Sequence, residues 1–198
     1  MLKLLEEIRS IAKNGLYYAK DHYDVERYNK LLKIANREYS EMVNITEEVI
    51  TERFKNELGH ITPKLGTDAA IFDDSGKILL VKRTDDNLWS LPCGWAEVNE
   101  LPRESIKREV KEETGLNVEV NDVIDVIGRL PGDFDSPHTS CHILFYCIVK
   151  SGEIRTSEET SQVMYRNIND DINWHRDHNK MAKIAYRYKS QKLKRLAK

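Results

Sequence analysis

Apolar residues recur at helical spacing through the first sixty positions of the chain. They predict a first helix that ends at Asn14-Gly15, a second capped by Asp24, and a third that begins at Thr46 and ends at Gly59. The apolar positions are Leu4, Ile8 and Ile11 in the first helix, Tyr28, Leu31, Leu32, Ala35, Tyr39 and Met42 in the second, and Val49, Ile50, Phe54 and Leu58 in the third. This part of the chain is therefore expected to be all-helical.

The hydrophobic pattern changes after Pro63 and Gly66, where strand-like segments begin. Residues 69–72 and 78–81 flank a turn at 73–77 and predict a hairpin. Further on, the pattern indicates a short strand or approach loop at 88–92, a helix over 102–113, strands over 118–127 and 142–150, and a helix over 179–198. We therefore expect two domains, a helical module over residues 1–62 and an α/β domain over residues 63–198.

Composition and charge narrow the class of protein. The chain has 198 residues, 31 basic and 33 acidic side chains and a formal charge of −2, which is typical of a globular protein rather than of a basic nucleic-acid binder. Its apolar runs are too short to span a bilayer, and the start lacks the apolar stretch of a signal peptide. Three scattered cysteines do not indicate a disulfide framework. These features predict a cytoplasmic protein with no membrane partner.

Three glutamates crowd one side of the helix predicted over residues 102–113. At 100° per residue, Glu109, Glu112 and Glu113 fall within an arc of about 100° beside the apolar stripe of Ile106 and Val110. A solvated acidic face is the ordinary explanation of such a cluster. It fits poorly here, because like charges three and four residues apart destabilise a helix by about 0.2–0.5 kcal/mol per pair. Acids at the edge of a core are better explained by a hard divalent cation.

The residues around this helix resemble the Nudix box, G-x5-E-x7-R-E-U-x-E-E-x-G-U, where U is aliphatic. Every fixed position of the motif is matched, by Gly94, Glu100, Arg108, Glu109, Val110, Glu112, Glu113, Gly115 and Leu116. The resemblance implies a Nudix α/β/α sandwich with a mixed sheet. It also implies hydrolysis of a nucleoside diphosphate linked to another group, X, with Mg²⁺ or Mn²⁺ as cofactor. Candidates for the substrate are ADP-ribose, CDP-choline and a nucleotide sugar.

The resemblance assigns roles to individual residues. Glu109, Glu112 and Glu113 would bind the metal, together with the backbone carbonyl of Cys93, where the family usually has glycine. Gly94, Glu100, Arg108 and Gly115 would be structural, with Arg108 and Glu100 orienting the helix and the loop by charge pairing. Metal ions would offset the phosphate charge, and a carboxylate would take a proton from water. The expected base is Glu112, with Glu159 as the second candidate.

The segment from Ile11 to Tyr28 resembles the helical module that precedes some bacterial Nudix domains. Those proteins are linked to the hydrolysis of nucleoside diphosphates that bear X, including ADP-ribose and CDP-choline, so this second resemblance favours a substrate of that class. An apolar helical face packs against another surface, so we expect the module to cover the sheet or to form a homodimer rather than to contact the substrate directly. A homodimer is the expected assembly. Two alternatives stay open, a hydrolase that removes damaged nucleoside triphosphates and a regulator that binds a nucleotide without cleaving it.

Several other residues have both a functional and a structural interpretation. Trp89 and Trp95 flank the metal loop and could stack on a nucleobase or pack in the core. Arg83 could bind a phosphate or lie on the surface. The spacing of His138, Cys141 and His142 does not indicate zinc, because this segment reads as loop running into strand. The last predicted helix carries eight basic residues and no acid from Lys180 onward, which is better explained by a solvated helix face than by nucleic-acid binding.

Overall fold

The computed structural model describes residues 1–55, 61–97, 99–136 and 138–196. It forms two compact units. One contains residues 1–64 and 128–140, and the other contains residues 65–127 and the chain from 141 onward. Residues 128–140 thus group with the helices, although the sequence analysis places them in the second domain. The predicted domain boundary between residues 62 and 63 stays a prediction. Among the described residues, none of the helices combines the length and apolar character needed to cross a bilayer.

The first unit is built on three helices. They are α1 (Leu2–Tyr18), α2 (His22–Val43) and α3 (Glu47–Lys55). Their core contains Leu5, Tyr39, Ile50 and Phe54, and the guanidinium of Arg9 stacks 3.9 Å from the centroid of the Phe54 ring. Glu6 accepts hydrogen bonds from Arg9 and from the hydroxyl of Tyr39. Arg9 is completely buried, and the carboxylate of Glu6 balances its charge.

Two predicted helix ends are wrong. The first helix continues through Asn14-Gly15 to Tyr18, because Gly15 provides space for a neighbour: a Cβ atom there would lie 2.3 Å from the Tyr28 ring. The second helix is capped by Asp21, whose carboxylate accepts from the N–H of Asp24. The third helix begins after Thr46 as predicted, whereas the predicted positions Leu58 and Gly59 lie outside the described residues.

The second unit contains seven strands in two sheets and two helices. The strands are β1 (Lys64–Ile71), β2 (Ile78–Arg83), β3 (Trp89–Ser90), β4 (Cys93–Trp95), β5 (Leu116–Arg129), β6 (Ser140–Gly152) and β7 (Thr160–Arg166), and the helices are α4 (Pro102–Thr114) and α5 (His178–Leu196). One sheet has the order β4-β1-β6-β5 and the other the order β3-β2-β7. The two long strands and both helices are present as predicted. The predicted hairpin is wrong: the turn at 73–77 joins β1 to β2, but the two strands belong to different sheets and share a single bridge, between Phe72 and Ile78. The sequence analysis also missed β4 and β7.

The two helices lie against opposite sides of the strands. Ile106 and Val110 of α4 pack with Ala69, Ile71, Leu79, Phe145 and Cys147. Met181, Ala182 and Ala185 of α5 pack with Ala70, Ile78, Leu80, Trp89 and Leu144. Successive strand residues point to opposite faces, so odd-numbered residues of β1 and β6 face α4 and even-numbered residues face α5. This layering confirms the expected α/β/α sandwich.

Candidate active site

Helix α4 has clear signals at both ends. Pro102 opens it, and the side chain of Glu104 accepts from the N–H of Leu101 at 3.1 Å. Gly115 ends it with a φ of 79°, a left-handed conformation that glycine adopts without strain. Ile106 and Val110 are fully buried. The apolar stripe therefore fixes the rotation of the helix, and with it the direction of the three glutamates.

The three glutamates of α4 differ in exposure. Glu109 and Glu113 are buried, whereas the side chain of Glu112 is 59% exposed. All three lie on the side of the helix predicted from their spacing. The carboxylate of Glu112 is therefore accessible to a bound molecule, whereas those of Glu109 and Glu113 are enclosed by protein.

Arg108 joins the helix to the preceding loop. Its guanidinium donates to both carboxylate oxygens of Glu100, at 2.9 and 3.0 Å. It also donates to Glu109 at 2.8 Å, to Glu112 at 3.0 Å and to the carbonyl of Trp95. The expected pairing of Arg108 with Glu100 is thus present. One guanidinium links the loop, the strand β4 and two of the three glutamates.

The backbone of β4 contacts the other side of the cluster. A Cβ atom on Gly94 would lie 2.1 Å from the carboxylate of Glu109, so only glycine lets this carboxylate approach the strand. The N–H of Cys93 donates to Glu113 at 2.9 Å. The hydroxyl of Thr160 donates to the backbone carbonyl of Glu113 at 2.8 Å. The loop, β7 and α4 are therefore fixed to one another at the glutamates.

Burial and mutual repulsion act together on these acids. Burial, together with the charges of Glu109 and Glu159, raises the pKa of Glu113 to about 8, against the opposing hydrogen bond from Cys93. Burial also raises the pKa of Glu109, and the bond to Arg108 opposes that rise. A compact group of oxygen donors with excess negative charge fits a hard divalent cation.

Glu159 approaches the cluster from a different part of the chain. It is exposed, and its backbone carbonyl accepts from the N–H of Thr84 at 3.0 Å. Its charge contributes to the raised pKa of both Glu109 and Glu113. Glu159 thus lies near the glutamates of α4. A candidate base must have such a position, and the role of Glu159 as the base stays a prediction.

The two tryptophans occupy different environments. Trp89 is 8% exposed and belongs to the core under α5, with the guanidinium of Arg166 5.5 Å from its ring centroid. Trp95 is 52% exposed and lies against the ring of His142. The burial of Trp89 favours the packing interpretation, and base stacking stays a prediction for Trp95.

Arg83 is tied to its own loop. Its guanidinium donates two hydrogen bonds to Asp85, at 2.9 and 2.6 Å. Its positive charge nonetheless reaches the cluster, where it lowers the pKa of Glu113. A phosphate would have to compete with Asp85 for this side chain, so phosphate binding by Arg83 stays a prediction.

A group of polar residues near Cys93 escaped the sequence analysis. Asp68 is fully buried in β1 and forms a 3.0 Å hydrogen bond with the ring of His142. The ring of His178, the first residue of α5, lies next to it. A charged residue directly before the apolar residues Ala69, Ala70 and Ile71 of β1 was the signal that could have revealed this group.

Comparison with known proteins assigns the family. A model of the NUDIX domain matches residues 62–183, and a model of a UDP-X-like N-terminal oligomerisation domain matches residues 1–54. The chain belongs to the Nudix hydrolase family. YjhB of Bacillus subtilis (strain 168), provisionally named an ADP-ribose pyrophosphatase, is 33% identical to it over 165 residues, which cover 83% of this chain and 79% of YjhB.

Solved Nudix structures share the fold. A UDP-X diphosphatase is 26% identical with a TM-score of 0.60, and the match covers 96% of this chain and 94% of that one. An ADP-ribose pyrophosphatase from Streptococcus suis is 31% identical with a TM-score of 0.57, over 65% of this chain and 92% of that one. In the chain described here, the Nudix box is therefore the segment that forms the glutamate cluster on α4.

Proposed function

We propose that the protein is a divalent-metal-dependent hydrolase of a nucleoside diphosphate linked to X. Water would attack one phosphorus of the diphosphate, the P–O bond to the bridging oxygen would break, and a nucleoside monophosphate and phospho-X would leave. The observation that carries this proposal is the cluster on α4, in which Glu109 and Glu113 lie against β4 and the exposed Glu112 is joined to Glu109 through Arg108. ADP-ribose is the first candidate substrate, because two relatives that carry this name align with much of the chain.

The glutamates have separate tasks in this proposal. Glu109, Glu112 and Glu113 would hold Mg²⁺ or Mn²⁺ with the carbonyl of Cys93. When bound, the cation supplies positive charge that offsets the diphosphate and makes an attacking water more acidic. Glu112 would accept the proton of that water, because its side chain is the exposed one of the three. Glu159 is the second candidate for this step.

A substrate panel tests the proposal. We expect hydrolysis of ADP-ribose, UDP-glucose or CDP-choline with Mg²⁺ or Mn²⁺, none after chelation, and little hydrolysis of oxidised dGTP. Glu112→Gln should lower kcat by about 10²–10⁴-fold, the usual contribution of a general base. The matched control is Glu119→Gln, which removes an exposed glutamate paired with Lys150 and should leave kcat unchanged.

Other results of the panel would contradict the proposal. Release of pyrophosphate from oxidised dGTP as the main reaction would favour the nucleotide-sanitising activity. Tight nucleotide binding with no turnover in either metal would favour the regulator. Full turnover by Glu112→Gln and Glu159→Gln would mean that neither residue is the base.

We also propose that the helical unit makes the protein a homodimer. The match of residues 1–54 to an oligomerisation domain supports this. Leu31, Ile34 and Met42 lie within an arc of about 80° on α2 and are exposed. Light scattering should give twice the chain mass for the parent protein and one chain mass for Ile34→Asp. Glu26→Lys should stay dimeric, because Glu26 is exposed and lies about 120° around α2 from the centre of that arc. A monomeric parent protein would contradict the proposal.

A further inference from the structure

Asp68 is a buried acid with one oxygen unused. Its Oδ2 atom forms the hydrogen bond with His142, whereas Oδ1 is buried and has no hydrogen-bond partner among the described groups. A buried carboxylate oxygen without a partner costs free energy, because it has lost its water. The Asp68–His142 pair therefore orients a carboxylate whose second oxygen is available.

The strand register brings Cys93 next to this oxygen. Asp68 pairs with Cys93 across β1 and β4, and the N–H of Cys93 bonds to Glu113 rather than to β1. Cross-strand partners point to the same face of a sheet. The side chain of Cys93 thus shares the α5 face with Asp68, while Gly94 faces Glu109 and α4.

His178 is the third residue of this group. It begins α5, and its Nδ1 accepts from the N–H of Leu91 at 3.2 Å and lies 3.9 Å from Asp68 Oδ1. A neutral imidazole has a single lone-pair nitrogen, so a metal bound by His178 would replace the hydrogen bond from Leu91. One donor atom from each of Asp68, Cys93 and His178 lies within 4.8 Å of the other two. Three elements distant in sequence therefore present oxygen, sulfur and nitrogen donors to one small volume.

We propose that Asp68, Cys93 and His178 form a second metal site, which takes Zn²⁺ or a metal of similar preference. Thiolate and imidazole ligands suit Zn²⁺ and Co²⁺, whereas Mg²⁺ requires oxygen ligands. Three protein ligands leave a fourth tetrahedral position for water or another small ligand. The evidence for this site does not depend on the proposed hydrolysis, because none of its three side chains belongs to the glutamate cluster, which lies on the opposite face.

The structure gives this site a direct link to the glutamate cluster. The side chain of Cys93 would bind the second metal, while its N–H holds Glu113. His142 would support the site by orienting Asp68, as residues behind metal ligands commonly do. Metal binding on the α5 face would therefore fix the peptide on which Glu113 depends.

Cobalt spectroscopy tests the site on the full chain. After chelation and dialysis, the protein is titrated with Co²⁺ in excess Mg²⁺, which occupies the carboxylate site. We expect a near-ultraviolet thiolate-to-Co²⁺ band that saturates at one ion per chain. Cys93→Ser should abolish the band, and Asp68→Asn and His178→Gln should each weaken Co²⁺ binding by at least about 10-fold.

Two control variants should keep the band, since both lie outside the site. Cys141→Ser removes another cysteine, and Glu112→Gln removes a carboxylate on the opposite face. A band that survives Cys93→Ser, or no band at saturating Co²⁺, would overturn the proposal.

A measurement that leaves Cys93 intact covers the case in which Cys93→Ser does not fold. In the Cys141→Ser, Cys147→Ala protein, Cys93 is the remaining cysteine of the three. X-ray absorption of its Zn²⁺ complex should show a sulfur neighbour at about 2.3 Å. A spectrum with nitrogen and oxygen neighbours alone would overturn the proposal.

Discussion

The two faces of the β1–β4 strand pair present different chemistry. On the α4 face, the donors are carboxylates that come from a single helix and meet Gly94 of the strand. On the α5 face, a carboxylate, a thiol and an imidazole come from β1, β4 and α5. The first set suits hard cations and the second suits softer ones. One short strand thus separates two sites that would select different metals.

The α4 and α5 faces also differ in the contacts that hold the candidate metal ligands in place. The glutamates carry excess negative charge, and Arg108 and the N–H of Cys93 restrain them. Asp68 has a histidine on one oxygen and no hydrogen-bond partner among the described groups on the other. Substitutions on the two faces should therefore change different properties of the protein.

Of the three substitutions that compare the two faces, Glu113→Gln on the α4 face should have the largest effect. It should lower kcat/KM by about 10²–10³-fold, the usual cost of losing one charged group that stabilises the transition state. The glutamine carbonyl can still accept from Cys93, and glutamine removes the cost of a buried acid whose pKa is raised to about 8. Thermal unfolding at pH 7 in the presence of chelator should therefore occur at or above the temperature of the parent. The Co²⁺ band of the α5 face should stay, and its loss would show that the faces are not independent.

Gly94→Ala should give the next effect. Its methyl group would displace the carboxylate of Glu109, which lies 2.1 Å from the Cβ position. A displacement of about 1 Å at a reacting centre costs about 10²-fold in rate, so kcat should fall by that factor. Gly128→Ala is the control, because a Cβ atom there meets nothing within 4 Å. Equal activities of the two variants would argue against Glu109 as a ligand.

Gly66→Ala makes the same change on the α5 face and should have the smallest effect on activity. Its methyl group would meet the ring of His142 at 2.6 Å. We expect a loss of about 1–3 kcal/mol in the free energy of unfolding from overpacking, measured by urea denaturation. Co²⁺ binding should weaken by about 10–100-fold, because Asp68 loses its orienting histidine. A larger loss of activity than in Gly94→Ala would reverse the comparison.

The contrast between the faces also explains what could be predicted from sequence. Glu109, Glu112 and Glu113 lie on one helix, so their spacing alone places them together. Asp68 and His178 are 110 positions apart and meet only because β1 lies beside β4 and α5 covers that face. The spacing of residues along the chain does not reveal the order of strands in a sheet. From the sequence, Cys93 was therefore notable only because the Nudix family usually has glycine at its position.

Local ambiguity accounts for the wrong cap of the second helix and for the alternatives left open at the two tryptophans. Asp21 and Asp24 are both good helix caps, and the choice between them depends on the backbone at each residue. Trp89 and Trp95 have similar sequence surroundings, yet one lies in the core and the other at an exposed edge. The helix boundaries that were correct, at Pro102 and Gly115, carry residues with one dominant conformational role.

Gly15 has a consequence for how the first helix folds. A glycine inside a helix costs about 1 kcal/mol relative to alanine, and a helix of 17 residues is only marginally stable by itself in water. Because Tyr28 occupies the space that Gly15 leaves, α1 gains its stability by docking onto α2. The two helices should therefore form and melt as a single cooperative hairpin.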